Sequence, residues 1–555
     1  MLRKQKQSLL ILLGFMILSL IFILPIIIHP EILFASDDFS FHMPRTLSLY
    51  RTIQSGHLIP SFDYSAFGSY GSAYNLFYPY LLNSYPIAIF RLISGSWTAA
   101  YITYYWIITL STLLIAYYAI QTITKTRMPA LIFSIIYTFS TYRAIDSFFR
   151  ADLGELLVIT SLPLVFCGIE LLIRGDYYKW PMLTVGMTLV AYSHVLSLLT
   201  ISIFIILRLL FCITNLSKQL IISLVKATTM TLLLSSFQLF SIIEQYHFQP
   251  LRSVVIVNLL DKTASFATLL QSSLSNQYIT PDVISPGLIV FLLAILILHY
   301  SYQLLYHFNY VSISALLGLM AIILSTTLFP WYLLNRLPFN IIQFPFRFLM
   351  LASYFIIFSG TLIFSELLNK LPTSTRKYSL IVLFILIMTL HLQTSTNLIQ
   401  HSPQDSRLTY ETIVPPNNYD YHPNVNLFKL QTIKQKLFKV NNKSYQNSLS
   451  LKHTNQSFYF DYHTSSSSTA IDTPVIRYKG VKAFDNGHTI PTIRSNRGTI
   501  EILLHDAGKH HITITYRMSS IRKLTLLISI TPLIVLIGYN LLLQFKKSLW
   551  LKGRF

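Results

Sequence analysis

The chain has 555 residues, of which 53% are hydrophobic and 11% charged, with a formal net charge of +21. An ordinary soluble domain carries roughly 25% charged residues, so this composition excludes a soluble globular enzyme and points to a chain folded in a bilayer. The basic excess does not indicate nucleic acid: its Lys and Arg residues lie mostly in short loops between apolar runs, without the clustered stripe that a polyanion binder uses.

In chain order, the first apolar run, Ser8 to Ile28, follows Arg3, Lys4 and Lys6. It is longer than a signal h-region and has no small-residue cleavage site, so it is expected to be a retained first span. Further runs reach the roughly 20 residues that cross about 30 Å of hydrocarbon as a helix. About twelve spans are expected. With the N-terminus in the cytoplasm, the inside loops hold Lys125 and Arg127, Arg174 and Lys179, Lys218, then Lys370, Arg376 and Lys377, and finally Lys546, Lys547, Lys552 and Arg554. The loop near His307 has neither Lys nor Arg. This positive-inside pattern predicts a multi-pass plasma-membrane protein with both termini cytoplasmic.

Three polar segments then fall outside: residues 29–96, 244–285 and 397–521. The last reads as an extracytoplasmic β-sandwich-like domain, from "TPVIRYKGVKAF", a turn at Asp485-Asn486-Gly487, "GTIEILL", a turn around Ala507-Gly508, and the alternating "HHITITYR". The Ser465 to Ser468 tract reads as a loop. The chain thus divides into a multi-span membrane domain (1–396), the β-rich domain (397–521), and a last transmembrane helix with a basic tail (522–555). Cys167 and Cys212, the only two cysteines, lie in apolar runs and read as packing residues.

Four stretches carry candidate chemistry. In "FASDDFSFHMPR", Asp37 and Asp38 follow the first span, with His42 and Arg45 close behind. Residues Phe39 to Gln54 read as a segment lying in the membrane interface. Adjacent carboxylates there can take a proton from an attacking hydroxyl or bind a divalent cation such as Mg or Mn through hard oxygens, or can simply be solvated. In "FGSYGSAYNLFYPY" the aromatics suit an aromatic belt or stacking against sugar rings. In "YRAIDSFFRADLGE", Arg143, Asp146 and Arg150 are spaced by three and four, as on one helical face, and Asp152 and Glu155 open the next span. Charges in such a position are costly unless paired or in contact with ligand. They either pair with one another or form a cavity wall. In "NIIQFPFRFLM", Gln343 and Arg347 flank Pro345. Arg347 near a helix N-terminus calls for an anionic neighbour, either a carboxylate or a lipid phosphate, which its planar fork can grip. His194 and Arg208 read as helix packing and snorkelling. HExxH, Walker A, GxGxxG and GxSxG motifs in a suitable setting are absent from the sequence.

The segments "SDDFSFHMPRTLSLYRTIQSGHLIP", "FFRADLGELLVITSLPLVF", "QFPFRFL" and "TPVIRYKGVKAFDNG…SNRGTIEILLHDAGKHHITITYR" together resemble bacterial polytopic membrane proteins labelled 6-pyruvoyl-tetrahydropterin synthase-related. Those proteins are similar to the YfhO-like proteins of Gram-positive bacteria. Phe346 stands where that family's segment has tryptophan. The synthase label implies no activity here, because the sequence lacks a His-rich zinc site. Both families resemble the GT-C superfamily of glycosyltransferases. The resemblance implies a hexosyltransferase that moves a sugar from a polyprenyl-phosphate carrier to an envelope glycan acceptor such as teichoic acid. Asp37 and Asp38 would be base or metal ligands, with His42, Arg45, Arg143, Arg150, Glu155, Gln343 and Arg347 around the substrate. The alternatives are a lipid or polysaccharide transporter or flippase, and a non-catalytic envelope scaffold.

Overall fold

The computed structural model describes residues 2–534 and 538, apart from 60, 255, 278–283, 335, 337–338, 401–408, 417–418, 442 and 446–448. The basic tail expected near Lys546 and Arg554 lies outside the described residues. The chain forms two compact units. One comprises Met1–Thr46, Leu81–Leu224 and Val254–Val414; the other comprises Leu47–Tyr80, Val225–Ser253 and Pro415–Phe555.

The helices used below are α1 (Leu2–Phe22), α2 (Phe39–Gln54), α3 (Trp97–Thr124), α4 (Arg127–Thr138), α5 (Leu153–Ile173), α6 (Trp180–Ala191), α7 (Val195–Leu210), α8 (Lys218–Phe248), α9 (Leu288–His299), α10 (Tyr310–Leu324), α11 (Phe348–Lys370) and α12 (Thr373–Gln400). Among the described residues six are long and apolar enough to cross a membrane: α1, α3, α5, α8, α11 with its preceding turn, and α12. Three shorter helices, α7, α9 and α10, are also apolar. Among the described residues, α4 and α6 are apolar helices of 12 residues each. A 12-residue helix such as α4 rises about 18 Å, short of the roughly 30 Å hydrocarbon core.

Within the first unit, α3 packs on α1, α4 and α5, and α11 packs on α4, α9 and α10. The apolar windows of α5 and α11 are each 89% buried, so these two are its central helices. Close approach of α5 and α6 depends on glycine. A Cβ at Gly168 would lie 2.8 Å from the Leu183 backbone nitrogen, and one at Gly186 would lie 2.8 Å from that of Val165. Small residues at such contacts let apolar helices gain packing that a bilayer does not otherwise supply.

Among the described residues the second unit holds nine strands: β1 (Lys439–Val440), β2 (Lys452–His453), β3 (Phe458–Thr464), β4 (Thr469–Ile476), β5 (Val481–Asp485), β6 (His488–Ile490), β7 (Thr492–Arg494), β8 (Thr499–Leu504) and β9 (Gly508–Tyr516). They form two sheets, ordered β1-β4-β8-β7 and β2-β3-β9-β5-β6, with every pairing antiparallel. Ile471, Ile500 and Ile502 of one sheet and Phe458, Ile512 and Ile514 of the other share one buried core, which makes the pair a β-sandwich. The β5–β6 hairpin turns at Asn486-Gly487, both with positive φ, the geometry that favours this dipeptide. The run "TPVIRYKGVKAF" is two strands in different sheets, because the chain turns at Gly480 (φ 100°).

One expectation changes here. The aromatics of "FGSYGSAYNLFYPY" form neither an aromatic belt nor a stacking surface: Tyr70, Tyr74 and Phe77 are buried, and Tyr70 and Phe77 belong to the sandwich core. Residues Phe39 to Gln54, expected as a segment lying in the membrane interface, form a helix with Phe39, Met43 and Leu49 buried.

Candidate functional site

The chain enters the candidate site at Ser36 to Asp38, pinned by its backbone to the 146–150 turn. Ser36 Oγ donates to Phe148 O (2.8 Å), and the amides of Asp37 and Asp38 donate to Phe149 O (3.1 Å) and Arg150 O (2.8 Å). Residues Asp146–Arg150 form a single π-helical turn, a local widening that recurs at functional sites. The turn swings Arg150 away from Arg143. Arg143 donates instead to Thr138 O (3.2 Å) and Thr109 Oγ1 (3.1 Å) and stacks on Phe22, so the face expected to be shared by Arg143 and Arg150 does not form.

Arg150 is the hub. Its Nη1 donates to Asp146 Oδ1 (2.8 Å) and Glu155 Oε2 (2.6 Å), and its Nη2 to Asp152 Oδ2 (3.0 Å), with Asp38 Oδ2 at 3.7 Å. The planar fork of arginine suits such several-sided pairing. Asp152 also caps α5, accepting from the Glu155 amide at 3.0 Å, and Tyr142 donates its hydroxyl to Glu155. Arg347 finds the anionic neighbour its position requires in Glu155, 3.9 Å away. It also donates to Gln343 Oε1 and Ile342 O, both at 3.2 Å. Phe346 lies against the Arg150 guanidinium.

The paired aspartates part company. Asp37 is exposed, whereas Asp38 turns toward Arg150 and keeps 38% of its side-chain surface accessible. Lost hydration, reinforced by Asp152 and Asp37 and opposed by Arg150 and Arg347, pushes Asp38 up to about 8. The two aspartates, expected as a pair, thus differ in exposure and in partners. Asp146, Asp152 and Glu155 do have oxygens within 4.8 Å of one another, but each already accepts from the Arg150 guanidinium, which supplies the cation there. A divalent ion fits only if Arg150 leaves.

Four carboxylates (Asp38, Asp146, Asp152, Glu155) face two guanidinium groups (Arg150, Arg347). Burial, then repulsion from Glu155, holds Asp146 well above the carboxylate range despite Arg150. His42 is buried and, with Arg45 adding to the effect, is held down to about 3. His194, at the N-cap of α7, is held down to about 4 by burial, with Asp152 opposing. Both imidazoles are neutral near pH 7. Arg45 is buried and stacks on Phe41.

Asp146, Tyr142 and His194 were not among the residues singled out for substrate. Asp146 was visible in sequence beside Arg150. Tyr142 and His194 carried no signal, since a tyrosine beside a charge and a histidine in an apolar run are ordinary packing residues. Arg208 does not snorkel: it is buried, with two nitrogens 2.9 and 2.7 Å from Glu170 Oε2. Cys167 and Cys212 are buried and free.

No family model matches the chain. It is 27% identical over 220 residues to an uncharacterized protein of Lactococcus lactis subsp. cremoris. The alignment covers 38% of this chain and 36% of that protein, so the chain spans little more than a third of the relative's length.

Proposed function

We propose that the protein is a GT-C-like membrane glycosyltransferase that transfers a sugar from a polyprenyl-phosphate carrier to an envelope glycan outside the plasma membrane. The observation that carries this reading is Asp38. It is a partly exposed carboxylate, its backbone amide bound to Arg150 O at the edge of a buried charged cluster, with the guanidinium of Arg347 in the same cluster. In the proposed step, an acceptor hydroxyl attacks the sugar C1 and loses its proton to Asp38. The bond from C1 to the phosphate oxygen breaks, and polyprenyl phosphate leaves with the electron pair. Arg347 grips the donor phosphate through its planar fork. Glu155 and Gln343 hold that fork in place, and Arg150 fixes the carboxylates around it.

The proposed architecture has about twelve crossings. The shorter helices α4, α6, α7, α9 and α10, together with the helix beginning near residue 520, are added to the six long ones. Both termini are cytoplasmic, and the sandwich lies outside. Single-cysteine labelling in a background lacking Cys167 and Cys212 tests this topology, and cytoplasmic labelling at position 450 would contradict it. Turnover of a polyprenyl-phosphate-linked sugar by the purified protein in nanodiscs tests the reaction. Absence of turnover with a panel of donor sugars and envelope acceptors would contradict it.

A further inference from the structure

Within the second unit, the last two turns of α8 border a groove of about 380 Å³ lined by Phe240, Ile243, Glu244, Phe248, Lys479 and Ile521. Phe240, Ile243 and Ile521 are each about half exposed, at 48, 49 and 50%, the first two on α8, a helix long and apolar enough to span a bilayer. The loop carrying Lys479 is held firmly. Its amide donates to Gln245 Oε1 (2.9 Å), and Gln245 Nε2 donates back to Lys479 O (3.1 Å). Two cations rest on the ring of Phe248, Arg477 at 4.3 Å and Lys479 at 5.2 Å from its centroid. Glu244 accepts from Ser519 Oγ at 2.8 Å through Oε2, while its Oε1 is buried and has no hydrogen-bond partner among the described residues.

We propose that this groove binds one anionic phospholipid whose headgroup carries hydroxyls, of the phosphatidylglycerol type. The apolar wall takes an acyl chain. Lys479 and Arg477 face the phosphodiester, as cations beside a membrane surface do. A headgroup hydroxyl donates to Glu244 Oε1, which a headgroup without a donor, such as choline, leaves unsatisfied. The site stands independently of the transferase reading, because it lies wholly in the second unit.

The test is native mass spectrometry of the full-length protein, delipidated in detergent and then supplied in turn with phosphatidylglycerol, phosphatidylethanolamine and phosphatidylcholine. The expected result is retention of one phosphatidylglycerol in preference to the other two. Lys479→Glu, at an exposed side chain, lowers that retention about tenfold by reversing one of two charges at the phosphate. Ile243→Trp fills the groove and lowers it without altering charge, so it carries the test if the first variant elutes as an aggregate. Equal retention of phosphatidylethanolamine overturns the anionic assignment. Retention unchanged in both variants overturns the site.

Discussion

Arg150 Nη1 lies 2.6 Å from Glu155 Oε2, and both side chains are almost fully buried, at 4% and 0% exposure. This pair organises the charged cluster: the same guanidinium holds Asp146 and Asp152, and the same carboxylate faces Arg347. Removing one partner of a buried pair leaves an uncompensated charge, at a cost of roughly 3–5 kcal/mol. Arg150→Gln is therefore expected to lose the monodisperse size-exclusion peak in detergent. Arg150→Lys keeps the charge but replaces the planar fork with a compact ammonium, so it should fold with a lower melting temperature.

The α5–α6 contact predicts a second stability effect. Gly186→Val places branched atoms where a Cβ alone would meet the Val165 backbone at 2.8 Å. Overpacking of this kind costs about 1–3 kcal/mol. A melting temperature equal to wild type would show that these helices separate more easily than the geometry allows.

In the sandwich unit, Gly71 has φ +85°, and a Cβ there would lie 2.8 Å from the Phe62 ring and 3.2 Å from that of Phe458. A left-handed backbone alone costs a residue with Cβ about 1–2 kcal/mol. Gly71→Ala should accordingly destabilise the second unit, read as faster limited proteolysis of residues 415–520, while leaving the helices of the first unit protected.

How much of this was legible in the sequence differs from region to region. The β8 and β9 strands and the Asn486-Gly487 turn could be read directly, because alternation and turn chemistry are local. The burial of Tyr70 and Phe77 could not, because their partners are strands nearly 400 residues away and an aromatic-rich stretch beside a membrane has an equally local explanation. Within the site, the Arg150 and Glu155 pairing was foreseeable from the cost of charge in an apolar setting. The separation of Arg143 from Arg150 was not: it follows from a single π-turn, which helical spacing does not announce. His194 was hidden because it breaks an apolar run that hydropathy reads as continuous.

The pH dependence of the proposed reaction follows from Asp38. With its carboxyl raised to about 8, the group is mostly protonated at pH 7, and only the ionised form can accept a proton. Turnover should therefore rise with pH through about 8 and level off above it. His42 and His194, held down to about 3 and 4, stay neutral throughout and add no limb in that range. A rate that falls between pH 7 and 8.5 would contradict the base role.

Metal dependence separates the two roles open to a carboxylate here. With Arg150 supplying the cation among Asp146, Asp152 and Glu155, turnover should survive chelation by EDTA. Loss of activity restored by Mg or Mn would mean that Arg150 moves away and that these acids bind the ion.

In the proposed step Asp38, and not its neighbour, takes the proton. The most direct measurement is the single-turnover rate of Asp37→Asn and Asp38→Asn in nanodiscs with a polyprenyl-phosphate-linked sugar, beside their size-exclusion profiles. Both variants should elute as wild type. Asp37→Asn, at an exposed position, should keep near wild-type turnover, whereas Asp38→Asn should lose about 10²-fold or more, the usual size of a general-base contribution. Equal rates in the two folded variants would contradict the assignment.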